Sequence, residues 1–194
     1  MSIESAKSFD TVASGVRVDP VLRSRAGAGG VFTFRCYDKD GNLKWEEKNH
    51  NLVVNVGLKD MNDKYFAGST YTAAWYIGLI TGPASGTTFA AGDTASSHAG
   101  WSENTSYSQA TRPQVTFGAA TTADPSVISN SASPSTFSIN GTATIAGAFL
   151  ISNSTKGGTT GTLFSESDFQ SPGDRSVVNG DTLNVTYTFN LDAA

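Results

Sequence analysis

The chain has 194 residues, a formal net charge of −4, 38 % apolar and only 15 % charged residues. So little charge rules against disorder driven by self-repulsion, and mild acidity rules against the concentrated basic face that nucleic-acid binding needs. The single cysteine excludes an internal disulfide framework, and no apolar run is long enough to span a membrane as a helix. The length suits one domain with a real core, with or without an appended arm. Ser, Thr, Gly, Ala and Asn dominate while eleven Phe are spread along the chain. That balance predicts an all-β protein with many turns.

Residues 1–29 hold few large apolar groups, among them Ile3 and Phe9, and end in "GAGG". Such a segment cannot build its own core and reads as an extended N-terminal arm, ordered only against a partner. Its first fifteen residues lack the apolar centre of a signal peptide, which predicts a chain made in the cytosol and left unprocessed. Arg17, Arg23 and Arg25 lie in this arm and suit docking better than nucleic-acid recognition.

From Val31 the pattern turns to period two. In "VFTFRCYD", Phe32, Phe34 and Cys36 share one face, and Val31, Thr33, Arg35 and Tyr37 the other. "DKDGN" supplies a turn and "LKWEEK" a return strand, so 31–48 is predicted to be a hairpin, followed by a short strand in "HNLVVNV". "NVGLKDMNDKYF" switches to helical spacing, with Leu58, Met61, Tyr65 and Phe66 as the expected buried stripe and Asn55 as N-cap. "AAWYIGLI" has the length and composition of a strand covered on both faces.

Residues 81–112 show isolated aromatics and no sustained period, as in a functional loop. Pro113 places "RPQVTFG" at a sheet edge or strand start. Alternation returns at 137–139, at 145–149, in "TLFSE", and most cleanly in the final strand. There Leu183, Val185, Tyr187, Phe189 and Leu191 share a face. Eight to ten short strands and one helix without βαβ spacing predict an antiparallel β-sandwich of jelly-roll-like complexity over residues 30–194, preceded by the 1–29 arm.

No catalytic signature stands out. Asp38, Asp40 and Asn42 open like a calcium loop, but the pattern needs glycine sixth and an acidic ligand twelfth, whereas Gly41 is fourth and Asn49 twelfth, and a hairpin turn explains them. His98 beside Ser96, Ser97 and Asp93 is adjacency in sequence and not a triad geometry. Glu46 and Glu47 point to opposite faces of a strand, while Glu103, Glu166 and Asp168 read as solvated surface. No catalytic, metal or cofactor residue is assigned. The interface candidates are Phe9, Arg17, Arg23, Arg25, Phe89, Trp101 and Tyr107, the aromatic ones being able to stack on a protein or a sugar.

The succession "NLVVNVGLKDMNDKYF", "AAWYIGLITG", a polar aromatic loop, "RPQVTFG" and "VVNGDTLNVTYTFNLD" resembles small structural proteins of tailed-bacteriophage virions. Those proteins are described as capsid cement (decoration) proteins or, loosely, as tail-fibre proteins. The resemblance covers residues 45–192 and is most specific in "NLVVNVGL", "WYIGL" and "NGDTLNVTYTF"; residues 1–29 lie outside it. It implies a non-enzymatic β-sandwich without cofactors, made in the host cytoplasm and located on the capsid exterior of the virion. Its implied partners are the major capsid protein, whose neighbouring subunits it would bridge, and further copies of itself in a dimer or trimer. Neither nucleic acid nor membrane is an expected partner. The arm and the 81–112 loop are the expected contact segments. The alternative is a tail or fibre component that takes part in tail assembly or host-surface recognition.

Overall fold

The computed structural model describes residues 27–71, 74–83, 86–170 and 173–192. The hairpin forms as predicted from β1 (Gly27–Tyr37) and β2 (Leu43–His50), with Val31 opposite His50. Its turn is built by Asp38, whose Oδ1 accepts from the backbone N–H groups of Asp40 and Asn42, both at 2.9 Å. Gly41 sits at φ 84°, a left-handed conformation that a Cβ would strain. This explains the residues of "DKDGN" as an Asx turn. β1 begins at Gly27, so residues 27–29, expected in the arm, pair with 190–192 of the last strand.

Among the described residues the chain then continues through β3 (Leu52–Val53), α1 (Asn55–Tyr65), β4 (Trp75–Thr81), β5 (Ser102–Asn104) and β6 (Gln114–Val115). It goes on with β7 (Ser126–Ser129), β8 (Ser135–Ser138), β9 (Ala143–Ile145) and β10 (Gly147–Ile151), and ends with β11 (Leu163–Asp168), β12 (Arg175–Val177) and β13 (Thr182–Asp192). All pairings are antiparallel. One sheet has the order β2-β1-β13, with β7 and β8 end to end along the far edge of β13. The second has the order β3-β11-β10-β4, with β5 and β6 sharing the far edge of β4. β9 and β12 form a separate ribbon.

The protein is therefore an all-β antiparallel sandwich with one helix. Asn51 makes the crossing from the first sheet to the second: its N–H donates to Gly30 O at 3.0 Å, and its side chain donates to the Tyr187 hydroxyl at 3.0 Å. Between the layers, Phe32, Phe34 and Cys36 from β1 and Leu183, Val185 and Tyr187 from β13 meet Ile77, Leu79, Leu150 and Phe164 of the second sheet. The faces predicted for β1 are the observed ones.

The second sheet is also covered on its outer face. Val54, Ile80, Ala95, Trp101, Phe149 and Leu163 form a second apolar cluster there, beneath the 86–101 segment. This is why β4, β10 and β11 are apolar or buried at nearly every position instead of alternating.

The helix lies where expected but turned by one residue. Its buried side is Gly57 with the half-buried Met61 and Lys64, while Leu58, Tyr65 and Phe66 face outward. Packing decides this: an added Cβ on Gly57 would lie 2.4 Å from the carbonyl oxygen of Phe164, so only glycine lets the helix touch β11. Val54, not Asn55, is the N-cap, without a side-chain cap bond, and the Asn55 N–H donates instead to Ala91 O at 2.8 Å. β7, in the Ser- and Ala-rich connection, was not expected as a strand; it is held by its register along Thr188–Leu191 of β13.

Candidate functional site

Among the described residues the exposed aromatic side chains are Tyr65, Phe66 and Tyr71, toward one end of the sandwich. β13 carries its apolar face past the edge of the second sheet, so Phe189 is only half buried and Leu191 is exposed. Helix α1 comes down beside that end and finishes with Tyr65 and Phe66, which are 83 % and 78 % exposed and touch each other edge-on at 4.8 Å. Tyr71 follows, also exposed.

Between the two layers at this pole lies a cleft of about 210 Å³. Trp75, Phe117, Phe164, Tyr187 and Phe189 form its aromatic wall, and Asp60 and Lys64 stand on its rim. The rings brace one another: Phe164 meets Trp75 and Phe189 edge-on, each at 5.4 Å. The Tyr187 hydroxyl accepts from Asn51 and, at 3.3 Å, from Ser165. Burial raises the proton affinity of that phenol, so it stays neutral. The surface offers shape and apolar area, with no convergent nucleophile and base.

The aromatic residues singled out from the 81–112 segment are not part of this surface. Trp101 is only 6 % exposed. Its ring lies between His98, stacked at 3.9 Å, and Phe149 at 5.0 Å, and its Nε1 donates to Glu166 Oε2 at 2.9 Å. Phe89 is half buried and meets Trp101 edge-on at 6.5 Å. Tyr107 is fully buried, edge-on to Phe137 at 5.0 Å. Trp101 and Tyr107 are thus core residues and present no free ring to a partner. The segment's small outward side chains leave its large ones to cover the sheet. Phe9, Arg17, Arg23 and Arg25 lie outside the described residues.

Of the acidic groups expected at the surface, Glu166 is buried and Glu103 and Asp168 are half buried. Arg112 grips Glu103 through two bonds, Nε to Oε1 at 3.0 Å and Nη2 to Oε2 at 2.7 Å. Arg112 also donates to the carbonyls of Asn153 and Gly158 and lies over the Phe149 ring. Arg112 and Glu103 line a second cleft, about 230 Å³, beside Trp101 and His98. All three nitrogens of the guanidinium are committed to the chain itself, so it pins the 153–158 turn to β5. It is a fastening and not an anion site.

Glu166 is fully buried in β11 because both faces of that sheet are covered. Its Oε1 has no partner of good hydrogen-bond geometry, although the Asp93 carboxyl is near enough to act on it by charge and as an acceptor. Burial first, and Asp93 second, push its pKa up to about 8, against the bond from Trp101. His98 spends Nδ1 on the Trp101 carbonyl at 3.1 Å, and Asp93 accepts from the Ala90 N–H at 3.2 Å. These contacts hold the 86–101 segment onto the sheet; they do not form a triad. Among the described residues no three His, Cys, Asp or Glu side chains gather as a metal site, and no helix is long and apolar enough to cross a membrane.

Reading the sequence missed the pole because Tyr65 and Phe66 fit a helical stripe and were assigned to the core. The signal available was an excess: the helix has more large apolar residues than its one narrow contact with β11 can bury. Comparison of the chain with known proteins finds no matching family model, no matching curated relative and no matching solved structure.

Proposed function

We propose that this chain is a non-enzymatic structural protein of a tailed-phage virion, a cement protein that binds the outside of the major capsid shell and bridges neighbouring subunits. The observation that carries the reading is the aromatic pole, where Tyr65 and Phe66 stand almost fully solvated beside an apolar cleft. The motif resemblance over residues 45–192 supplies the virion context. A layer packed on both faces gives the pole a stiff base, so little order is lost when it docks. Repetition over a lattice then turns modest contacts into strong retention, and binding to the assembled shell stabilises it by mass action. Self-association into a dimer or trimer would use the same kind of surface.

Shells decorated with native chain and with a Tyr65→Ser, Phe66→Ser double variant test this. The variant is expected to lose about tenfold or more in affinity, the scale of two desolvated aromatic contacts, while its melting temperature stays unchanged. Equal occupancy would remove the pole from the interface. Counting copies per virion by quantitative mass spectrometry tests the location. Abundance near that of the major capsid protein is expected, and a few copies per particle would assign the chain to the tail or a fibre instead.

A further inference from the structure

The cleft between the layers is apolar within and charged at its mouth. Leu150, Phe164 and Tyr187, all buried, form its floor, and the half-buried Trp75, Phe117 and Phe189 stand around it. We propose that this cleft binds a free aromatic α-amino acid, its ring between the layers and its ammonium and carboxylate groups on Asp60 and Lys64. The inference does not rest on the virion reading, since it concerns the isolated protein.

Three observations lead to it. The first is what the interior accepts. The Tyr187 hydroxyl, the polar side-chain atom of the floor, is already engaged by Asn51 and Ser165. A polar group pushed that deep would lose its water and find no partner, so the buried part of an occupant is apolar. An apolar cavity of about 150 Å³ takes up a benzene ring, so about 210 Å³ holds a phenyl group. The ring walls favour an aromatic occupant over an aliphatic one through edge-to-face contact, the geometry in which Phe164 already meets Trp75 and Phe189.

The second is the state of the two rim charges. Asp60 and Lys64 lie one turn apart on α1, with Lys64 Nζ 4.0 Å from Asp60 Oδ1, too far for a hydrogen bond. No N–H or O–H group of the described residues donates to the Asp60 carboxylate, and Lys64 donates one proton to Thr70 O. Both charges are partly buried, and both keep hydrogen-bonding capacity.

The third is their spacing. Opposite charges this close are matched by a ligand whose own opposite charges are equally close. On an α-amino acid the ammonium and carboxylate share one carbon, a single methylene from the ring. An aromatic amine or acid alone would meet one rim charge and be repelled by the other. A ring on a polypeptide carries amides at those positions, so a partner chain or a second copy would leave both rim charges unmatched. Tyr65 and Phe66 do not line the cleft, so they stay exposed when it is filled.

Isothermal titration of the full chain tests this. L-Phenylalanine is expected to bind saturably, one per chain, with a dissociation constant of about 1 mM or below. Phenethylamine and hydrocinnamate, each lacking one charge-assisted bond, are expected to bind about tenfold more weakly. L-Leucine, which keeps both charges without the ring, is expected to bind severalfold more weakly. Two variants locate the site. Asp60→Asn should abolish the preference for phenylalanine over hydrocinnamate, and Lys64→Gln the preference over phenethylamine. No binding of phenylalanine up to about 10 mM would overturn the proposal. So would equal binding of all four compounds to the native chain, a result that needs no variant, or preferences that survive both substitutions.

Discussion

Glu166 keeps a proton that a solvated glutamate loses well below neutral pH. Its ordinary value of 4.5 applies in the unfolded chain, and about 8 in the folded one. The folded state therefore binds the proton more tightly. Stability from this group is fully present below pH 4.5 and is lost as pH rises to about 8, by up to about 1.4 kcal/mol per pH unit. Asp168, pushed up to about 6 by burial and then by Asp174, acts in the same direction but only between its ordinary 3.8 and that value. Between pH 6 and 8 the slope belongs to Glu166. Glu166→Gln can still accept from Trp101 and can donate to Asp93 without titrating. Thermal unfolding at pH 6, 7 and 8 is expected to show a falling midpoint for the native chain and a nearly level one for the variant. Parallel curves would mean that Glu166 is ionised in the fold.

Arg112 presents the opposite case, a buried charge with its partners complete. Arg112→Ala leaves the Glu103 carboxylate without its counter-charge, held only by the Gly157 N–H and the Tyr107 hydroxyl, and is expected to cost about 3 kcal/mol in urea unfolding. Arg112→Lys keeps the charge but loses the fork, and falls between the two. A loss below 1 kcal/mol for the alanine variant would show that water reaches Glu103. Neither role was legible in the chain. Glu103 and Arg112 are nine positions apart in a stretch without periodicity, and only the pairing of β5 with β4 and the return of the 153–158 turn bring them together.

Helix α1 is held by one close contact more than by its caps. Gly57 lets its first turn rest on the backbone of β11, and the cap residue Val54 contributes no side-chain bond. A methyl group there must push helix and strand apart, because the obstacle is a main-chain carbonyl. Gly57→Ala is expected to destabilise by about 2 kcal/mol despite alanine's better helix propensity. Amides of α1 should lose more protection from hydrogen exchange than those of β1 and β13. If the variant is instead more stable, intrinsic propensity outweighs the contact. Local spacing located this helix to within a residue, since a run of three turns has few alternatives. It did not give its rotation, which depends on which side meets a neighbour. β7 escaped notice for a related reason: its Ser-Val-Ile-Ser run is short, and its strand geometry comes from pairing with β13.

Across the molecule, the layer covered on both faces sets what is available for function. A sheet with one wet face would have left Trp101 and Glu166 at the surface, where they could have met a partner or a substrate. Covering that face with the 86–101 segment moves both into the interior, and among the described residues the exposed aromatic rings are then Tyr65, Phe66 and Tyr71. The Tyr65→Ser, Phe66→Ser variant should therefore melt with the native chain. If its melting temperature drops, the two rings support the fold and are not held out for a partner.

Period-two alternation in 31–37 and 183–191, the turn residues of "DKDGN" and "NGD", and the absence of βαβ spacing were enough to establish an antiparallel β-sandwich. These are properties of neighbouring residues, set by backbone geometry and by the need to bury one face of a strand. Which aromatic rings are core and which are surface is a different kind of fact. Trp101 stands among small or polar neighbours, whereas Tyr65 stands beside Phe66 on a helical stripe. One is buried and the other solvated because of what the rest of the protein places against them, and burial depends on contacts between residues far apart in the chain.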